Sequence, residues 1–554
     1  MSFFKLLLVA LFSSFVTGAV LPEARLQERQ SCNSATDRAC WSSGYSIATD
    51  SETSWPNTGV TVKYTLDISQ KTLAPDGTSK TMFVVNGQYP GPTITANWGD
   101  FLEITVTNSM TTNGTSMHWH GIVQKNTNNM DGVNGVTECP IPPGGSKTYL
   151  FQATEHGTSW YHSHYSFQYG DGVVGPIVIN GPASANYDVD LGPMPISDIF
   201  YNQMYAEYVL SLTGGPPVAP NAVINGTMRN PANGLNYRLR LINTAVDSGW
   251  YVSLDSHIFT VIAADFVPVV PFNTTWLFIA IGQRYDVIIT ASATASNYWF
   301  RAENGCGNNG NQANIRSIFH YDTVAAGNPS STSATLPTFS CTDQTGIVPY
   351  VAKSVPAISL FDSSDNLNIA AGQGGTWTIN TQAIDIAWGS PTLLAVEQGA
   401  TTFAAATNTY ELPDANVWVY WVVQNGGGVS HPIHLHGHDF SLLGSGSGTF
   451  TNATASVLNF ATPVRRDVSE LPGGGWIVIA FQTDNPGAWL HPTLMRRTVH
   501  CHIVWHVGAG LALQFLERAS EIPTTMDLSS LPSRCDAWDA YYSTTPDTQL
   551  DSGL

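Results

Sequence analysis

Short runs of β-branched and aromatic residues, separated by turn residues, recur along most of this 554-residue chain. Residues 60–66, 102–106 and 173–179 are such runs, and the turn sequences at 75–77 and 142–145 separate them. No segment sustains the apolar periodicity of a helix. With 49 Gly, 32 Pro and only 11% charged residues, the composition is typical of a turn-rich all-β protein.

Two stretches divide the chain into units that share the same pattern of β-rich runs and turns. A Gly-Pro-Ala-Ser segment at 181–184 and a Gly-, Ser-, Thr- and Pro-rich stretch at 325–337 have the composition of boundaries. A chain of this length is expected to form about two to four domains. The sequence therefore predicts three consecutive β-sandwich domains, at 30–185, 186–350 and 351–554.

The N-terminus has the pattern of a secretory signal. Lys5 precedes an apolar run at 6–12, and small residues follow up to Ala19, so residues 1–19 are predicted to be a signal peptide. Residues 20–29 fit either a short propeptide or a disordered start of the mature chain. No other stretch reaches the ~20 apolar residues of a membrane helix. A secreted, extracellular protein is expected.

The net charge of the chain argues against two classes of partner. A formal charge of −19 and a pI near 5.0 disfavour binding to nucleic acid or to an anionic membrane. This acidity keeps a secreted protein soluble. A monomer is the default expectation.

Seven cysteines fit an oxidising compartment, as an even set for disulfides plus one thiol. Cys501 is the odd one because it lies inside a histidine cluster. Six cysteines allow fifteen connectivities, and we propose the pairs Cys32–Cys40, Cys306–Cys341 and Cys139–Cys535. Four glycosylation sequons are also consistent with secretion, at Asn113, Asn225, Asn273 and Asn452.

Four clusters of histidine carry the functional signal. Side chains alternate along a strand, so a His-x-His triplet sends both imidazoles to one face. In His500-Cys501-His502 the histidines point one way and the thiolate points the other way. One strand can therefore supply ligands to two metal sites. The clusters are His118-Trp119-His120, His162-Ser163-His164, His431-Pro432-Ile433-His434-Leu435-His436 and His500-Cys501-His502 with His506.

Zinc and copper are the metals to consider. Structural zinc prefers several cysteines, and catalytic zinc needs few protein ligands. A trigonal site of two histidines and one cysteine is the blue-copper arrangement, which His431, Cys501 and His506 supply. The remaining eight histidines form four pairs, enough for three further ions. The pattern therefore favours four coppers with electron transfer between them.

The clusters and their neighbours resemble one family closely. His118-Trp119-His120-Gly121, Trp160-Tyr161-His162-Ser163-His164, the 431–437 segment and the 500–506 segment resemble the four copper motifs of ascomycete laccases, which are three-domain multicopper oxidases. The resemblance covers essentially the whole mature chain. It implies three cupredoxin-like β-sandwich domains of Greek-key topology. It also implies that the C-terminus, Asp551-Ser552-Gly553-Leu554, is a plug in a solvent channel, and it matches the three proposed disulfides.

The resemblance assigns a role to each ligand. It implies that His431, Cys501 and His506 bind type 1 copper, with the non-coordinating Leu511 at the axial position. Loss of an axial thioether generally raises the potential. Type 2 copper would take His118 and His434. The type 3 pair would take His120, His162, His164, His436, His500 and His502.

The same resemblance implies the reaction and two acidic residues. Small phenols or aromatic amines would lose one electron at a time at type 1 copper, and the trinuclear cluster would reduce O₂ to water. Asp198 is predicted to accept the phenolic proton beside His506, although an ordinary loop aspartate is the alternative. Asp131 is predicted to help proton delivery to oxygen, although Asp-Gly is also a common turn.

One segment departs from the family pattern. Residues 491–499 stand where the family has a single residue before His-Cys-His, an excess of eight. Eight extended residues span roughly 26 Å, more than a typical strand of about 17–20 Å, so they must loop out beside the ligands. Our hypothesis is an exon-boundary error in the gene model, with a real insertion as the alternative. A real insertion places His500 in doubt.

Three alternatives to a laccase remain open at this point. An ascorbate oxidase and a ferroxidase belong to the same class of enzyme, and a ferroxidase would need acidic iron ligands near His506. A secreted copper-binding protein without turnover, disabled by the 491–499 insertion, belongs to a different class. Among laccase substrates, lignin-derived phenols, pigment precursors and detoxification targets all fit.

Overall fold

A computed structural model describes residues 32–42, 44–224, 234–312, 314–361, 365–490, 500–544 and 549–554. The predicted signal peptide and propeptide, the sequon at Asn225 and the 491–499 segment lie outside these residues. The described chain is built mainly of β-strands, and each of its sheets takes its strands from one third of the sequence.

The first third forms two four-stranded sheets and a two-stranded ribbon. Its strands are β1 (Cys40–Ser42), β2 (Tyr45–Ser46), β3 (Thr61–Leu73), β4 (Lys80–Val85), β5 (Ile94–Asn97), β6 (Phe101–Asn108), β7 (His118–His120), β8 (Ser146–Gln152), β9 (Gly157–His162) and β10 (Val174–Asn180). The sheet orders are β4-β3-β6-β8 and β5-β10-β9-β7, and β1 pairs with β2. Sequence neighbours are therefore often separated within a sheet, as in Greek-key folds.

The middle third forms a six-stranded and a four-stranded sheet. Its strands are β11 (Val189–Ile199), β12 (Asn221–Ile224), β13 (Asn236–Asn243), β14 (Gly249–Leu254), β15 (Phe259–Ala264), β16 (Val267–Thr274), β17 (Leu277–Ile279), β18 (Arg284–Thr290), β19 (Asn297–Cys306) and β20 (Arg316–His320). The orders are β12-β11-β13-β18-β15-β16 and β17-β14-β19-β20.

The last third forms one six-stranded and two three-stranded sheets. Its strands are β21 (Asn366–Ala371), β22 (Trp377–Ile379), β23 (Thr409–Leu412), β24 (Trp418–Asn425), β25 (His431–His434), β26 (Phe440–Ser447), β27 (Val464–Arg466), β28 (Val468–Leu471), β29 (Gly475–Gln482), β30 (Gly487–Trp489), β31 (His500–Cys501) and β32 (Gln514–Glu517). The orders are β22-β21-β24-β29-β26-β27, β23-β32-β30 and β28-β25-β31.

Helices are few and short. The α-helices of the described residues are α1 (Met204–Gly214), α2 (Thr392–Glu397), α3 (Val504–Gly508), α4 (Ile522–Thr525) and α5 (Leu531–Tyr542). Turns of 3-10 helix occur at Asn128–Met130, Gln168–Asp171, Gln373–Gly375, Ala405–Thr407, Thr454–Val457 and Ala519–Glu521. Across the described residues, every helix is too short or too polar to span a bilayer.

Burial along the strands shows how the units pack. β6 alternates half-buried and buried residues, as expected for a strand with one face on a core. β9 is buried throughout because its outer face meets the middle third. There the Thr158 hydroxyl accepts from Arg240 (2.8 Å), and the Thr158 carbonyl accepts from Arg284 (3.2 Å). β9, which ends at His162, is therefore held both by its own unit and by the middle third.

Three disulfides connect the chain as the sequence predicted. Cys32 bonds to Cys40, Cys139 to Cys535 and Cys306 to Cys341. The proposed pairing is confirmed, and Cys501 is a free, buried thiol. The second disulfide spans a sequence separation of 396 residues and joins α5 to the first third.

Candidate metal centres and the adjoining cavity

Two neighbouring strands and a helix bring two imidazoles to one thiol. β31 pairs antiparallel with β25, which places Cys501 opposite Ile433. Helix α3 follows directly and returns His506 to the same point. The Nδ1 atoms of His431 and His506 are 3.1 Å apart, and each lies 3.5 Å from the Cys501 Sγ atom. All three donors are buried and converge on one point.

Burial sets the protonation of this trigonal group. It lowers the pKa of His431 to about 3 and holds the pKa of His506 well below its ordinary value. Burial also raises the pKa of the Cys501 thiol. A neutral imidazole offers a lone pair to a metal, and a bound metal displaces the thiol proton. The three buried side chains are therefore better suited to binding a metal ion than to carrying a charge without one.

Leu511 lies against the trigonal group through its backbone. Its N–H donates to the His506 carbonyl (2.8 Å), and its own carbonyl accepts from the Cys501 N–H (3.2 Å). The residue is fully buried, and its side chain has no donor atom. Its position is compatible with the predicted non-coordinating axial residue.

Eight further histidines form a second buried cluster. β7 pairs with β9, which places His118 opposite His162. In the other half of the cluster, the Nε2 atoms of His436 and His500 are 3.1 Å apart. Three sets have donor atoms within 4.8 Å of one another, namely His118 with His434 and His436, His118 with His120 and His162, and His164 with His436 and His500. His502 joins the cluster through its Nε2 atom, 3.4 Å from His120 Nδ1.

The orientation of three rings provides a test of metal binding. His118, His162 and His434 each donate Nδ1–H to a backbone carbonyl oxygen, at 2.9, 3.0 and 2.8 Å. Their Nε2 atoms are buried and have no hydrogen-bond partner. A buried acceptor without a partner is costly, and fixing one ring nitrogen by hydrogen bonding is typical of metal-binding histidines. The donor set of imidazoles and one thiolate fits copper.

Asp131 lies at the edge of this cluster, fully buried. Its carboxylate is 3.0 Å from His436 Nδ1 and 3.2 Å from His118 Nδ1. Its backbone carbonyl accepts the His118 hydrogen bond as well. The structure thus brings the predicted Asp131 to two of the predicted ligands.

A second acid beside the cluster, Asp467, was not found by sequence analysis. One Asp467 oxygen is 3.3 Å from His120 Nε2, and Arg284 binds both oxygens at 2.6 Å. Burial raises the pKa of Asp467, and the Arg284 charge opposes that rise. The available signal was the charged triplet Arg465-Arg466-Asp467 between valines in a chain with few charges.

A cavity of about 370 Å³ opens beside His506. Small-molecule sites typically have volumes of about 300–1,000 Å³. His506 is 6% exposed, so an edge of its ring reaches the cavity. The wall combines aromatic, apolar and acidic side chains, among them Trp377, Pro432, Trp505, Asp247, Ser430 and Glu470.

Asp247 lines this cavity, and Asp198 lies behind it. Asp198 Oδ2 accepts the backbone N–H groups of Val246, Asp247 and Ser248 at 3.2, 2.9 and 3.1 Å. Burial first, and then the charge of Asp198, raise the pKa of Asp247 to about 7. Sequence analysis identified Asp198 but neither of the carboxyls that line the cavity, Asp247 and Glu470.

The C-terminal residues are buried near the histidine cluster. Leu554 lines a cavity of about 20 Å³ together with His164, His500 and His502. The Ser552 hydroxyl donates to the Val507 carbonyl at 2.7 Å. This segment therefore covers one side of the cluster.

Comparisons with known proteins identify the family of this chain. Three family models, each described as multicopper oxidase, match residues 67–184, 192–323 and 363–521. Laccase-3 of Botryotinia fuckeliana is 52% identical over 77% of this chain and 100% of its own length. The chain belongs to the multicopper oxidases. Copper is accordingly the cofactor of this family member, and the buried histidine groups are the candidate sites for it.

Within the multicopper oxidases, many of the similar proteins are laccases. The laccase of Cryphonectria parasitica is 44% identical over 98% of both chains. The crystal structure of laccase from Botrytis aclada has a TM-score of 0.88 and 41% identity, covering 94% of this chain and 100% of that chain. The predictions of an all-β fold of cupredoxin-like sandwiches and of a laccase-type multicopper oxidase are confirmed.

A more distant structure is also similar. Fet3p, described as a multicopper oxidase that functions in iron import, has a TM-score of 0.76 and 25% identity, covering 89% of this chain and 98% of that chain. The family alone therefore does not select the reducing substrate. That choice depends on the cavity beside His506.

Proposed function

We propose that this multicopper oxidase removes one electron at a time from small phenols or aromatic amines and uses O₂ as the final acceptor. The observation that carries the proposal is the His506 edge in a cavity with aromatic walls and an adjacent carboxyl, Asp247. A flat ring packs well against Trp377 and Trp505, as aromatic side chains favour stacked or edge contacts.

We propose the following ligand sets for four copper ions. His431, Cys501 and His506 would hold type 1 copper, and His118 and His434 would hold type 2 copper. The type 3 pair would be held by His120, His162, His164, His436, His500 and His502. The convergence of Nδ1, Nδ1 and Sγ atoms supports the first set, and the unpartnered Nε2 atoms of His118 and His434 support the second.

Bound copper would supply the one-electron acceptor beside the cavity and the site of four-electron reduction of O₂ to water. The protein's own part includes a covalent connection between the two groups. Cys501 belongs to the trigonal group, and its sequence neighbours His500 and His502 belong to the histidine cluster. Electrons can therefore cross between the groups through a few bonds of one strand.

Proton transfer at the cavity is assigned to Asp247, with Asp198 as its positioning residue. A phenol that loses an electron becomes much more acidic and releases its hydroxyl proton. Asp247 lines the cavity and has a pKa raised to about 7, which suits a base near neutral pH. Asp198 holds the Asp247 backbone N–H. This refines the prediction that Asp198 alone accepts the proton.

Asp131 is proposed to hold a proton near the histidine cluster. Its carboxylate lies within 3.0–3.2 Å of His436 and His118. Reduction of O₂ to water consumes protons inside a buried site, so a carboxyl at this edge is well placed to deliver them.

Four further features of the molecule are part of the proposal. Domain boundaries are proposed at residues 185 and 350, and the C-terminal residues 551–554 are proposed to close a channel above the cluster. Secretion is supported by the three disulfides and by exposed sequons at Asn273 and Asn452. The monomeric state is proposed as the default.

Oxygen uptake with a simple phenol tests the proposal. The copper-loaded protein should be intensely blue from its thiolate–copper bond, and it should consume oxygen when a neutral methoxyphenol is added. The C501S variant should lose both the colour and the oxygen uptake while it keeps its other copper. A colourless, copper-loaded parent protein that consumes no oxygen would contradict a laccase and favour a non-catalytic copper protein. Sequencing the transcript across 489–501 establishes whether the message encodes residues 491–499, and a message that encodes all nine would contradict the gene-model error.

A ferroxidase is the second candidate, because two carboxyls, Asp247 and Glu470, line the cavity next to His506. Carboxylate oxygens are ligands for a divalent iron ion. The two tryptophans and the apolar remainder of the wall favour an aromatic ring over a hydrated ion. Oxygen uptake with ferrous iron as the only donor separates the two reactions. A kcat/KM for iron above that for phenols would favour the ferroxidase.

A further inference from the structure

Glu470 is a buried acid in the wall of the cavity beside His506. It lies on β28, and its register partner on β25 is Pro432, another lining residue. Its carboxyl hydrogen bonds to Ser430, which also lines the cavity. The side chain is 3% exposed. Glu470 therefore presents its carboxyl to the wall that a substrate would contact.

No ion pair accounts for the burial of this carboxyl. Among the described residues, no lysine or arginine lies within salt-bridge distance of Glu470, and Arg466, on the neighbouring β27, is paired with Asp265 (3.2 Å) and Asp343 (3.5 Å). Asp343 accepts the Glu470 backbone N–H at 3.1 Å, which fixes the strand but adds negative charge. A buried carboxyl without a cation is costly to ionise. The Arg466 charge, shared with Asp265 and Asp343, lowers the pKa of Glu470 only from beyond salt-bridge distance. The Glu470 carboxyl therefore keeps capacity for a cationic partner in direct contact.

Among the described lining residues, the carboxyl groups of the cavity wall have no lysine or arginine counterpart. Asp247 and Glu470 come from the middle and last thirds of the chain, and no lysine or arginine occurs among the described residues that line the cavity. Once ionised, these carboxyls favour cations and oppose anions in the cavity.

We propose that Glu470 is a specificity-determining residue that anchors a cationic substituent on the aromatic substrate. The ring would lie against His506 with its hydroxyl at Asp247, and an ammonium-bearing arm would reach Glu470. The substrate class is an aminoalkyl phenol or a similar ring with a positively charged side arm. This inference rests on the proposed oxidation of phenols and adds to it a selection by charge.

The physical basis is the strength of a charge-assisted hydrogen bond in a site with little water. An ammonium group beside Glu470 favours the ionised carboxylate, and the resulting pair is stronger than a neutral hydrogen bond. A carboxylate arm at the same position would meet two acids and would lose its hydration without compensation. The difference should therefore be larger than the effect of arm length or shape.

Three catechols with the same ring provide the probes. They carry a methyl, an aminoethyl or a carboxyethyl group para to one hydroxyl, and the saturated linker keeps the ring's own reactivity similar. The measurement is kcat/KM from oxygen uptake at neutral pH for each catechol. In the parent protein, the ratio of kcat/KM for the aminoethyl catechol to kcat/KM for the carboxyethyl catechol should be about ten or more.

Variants at Glu470 test whether that ratio depends on this carboxyl. In E470Q, which keeps the shape and removes the charge, the ratio should fall by about tenfold. In E470D, which keeps the charge, most of the preference should remain. E411Q removes the same charge from an exposed residue on β23 and should keep the parent ratio. A ratio that is unchanged in E470Q, or that falls equally in E411Q, would overturn the proposal.

A binding measurement separates this inference from the catalytic proposal. Isothermal titration calorimetry on the copper-loaded protein can compare phenylethylammonium with phenylpropanoate, neither of which is a phenol. The parent should bind the cation more tightly, and E470Q should lose that preference. No oxygen uptake with methylcatechol would contradict the proposed reaction. Uptake without charge preference would contradict only the role of Glu470.

Discussion

The carboxylate of Asp198 accepts the backbone N–H of Asp247 at 2.9 Å. Two more backbone N–H groups donate to the same oxygen, so three donors hold the negative charge of Asp198 directly behind the acid that faces the substrate cavity. That charge raises the pKa of Asp247 beyond the effect of burial. In the proposed reaction, Asp247 would therefore contact the substrate, while Asp198 raises the pKa of Asp247 and positions its backbone.

Replacing Asp247 with asparagine should slow the oxidation of phenols. General-base catalysis typically contributes about 10²–10⁴-fold, so D247N should lower kcat/KM for a neutral phenol by about 100-fold. A donor without a transferable proton, such as ferrocyanide, provides the control because its oxidation needs no base. A comparable loss with both donors would show that D247N damages the metal site instead.

The pH dependence should reveal the action of Asp198 on Asp247. Asp247 accepts a proton only when ionised, so the rate of phenol oxidation should rise as the pH rises through about 7. In D198N the neighbouring charge is absent, the pKa of Asp247 falls, and the rise should move to lower pH by roughly one pH unit. Anaerobic bleaching of the blue colour by phenol isolates this step from oxygen reduction. An unshifted profile would assign Asp198 a structural role only.

The sequence could identify those site residues whose functional partners lie close to them along the chain. His500-Cys501-His502 and the other histidine triplets need only strand alternation, and the structure places their side chains in two buried groups. The strand runs were found in the same way, and 60–66 and 102–106 lie largely within β3 and β6.

Asp247, Glu470 and Asp467 could not be predicted because their roles depend on tertiary packing. Asp247 and Glu470 reach one cavity from different thirds of the chain. Asp467 depends on Arg284, which is 183 residues away in sequence. Nothing in the local sequence distinguishes Asp247 and Glu470 from ordinary loop or edge residues, and the charged triplet at 465–467 marks Asp467 without showing its partners. Asp198 was identified through family resemblance, and its relation to Asp247 required the backbone geometry.

The disulfide between Cys139 and Cys535 should contribute far more stability than the one between Cys32 and Cys40. Their sequence separations are 396 and 8 residues. The chain-entropy model then predicts a difference of about 3 kcal/mol in the free energy of unfolding. Double serine variants of each pair, compared by calorimetry with copper held constant, provide the test. Equal losses of thermal stability would mean that local packing, rather than loop closure, dominates.

Arg284 and Asp467 form a buried pair that joins the middle and last thirds of the molecule beside the histidine cluster. Removing one partner of such a pair typically costs about 3–5 kcal/mol, because the remaining charge stays buried. The R284M variant should therefore be strongly destabilised and should lose copper from the cluster, since Asp467 also lies 3.3 Å from His120.

The double variant R284M/D467N distinguishes charge from packing at this position. With both charges removed, no uncompensated ion remains, so much of the stability lost in R284M should return. Copper content and thermal unfolding measured on the same samples give the two readouts. Recovery of stability without recovery of copper would show that the Asp467 charge itself supports metal binding. If the double variant is no more stable than R284M, the loss arises from packing around the Arg284 side chain and not from a stranded carboxylate.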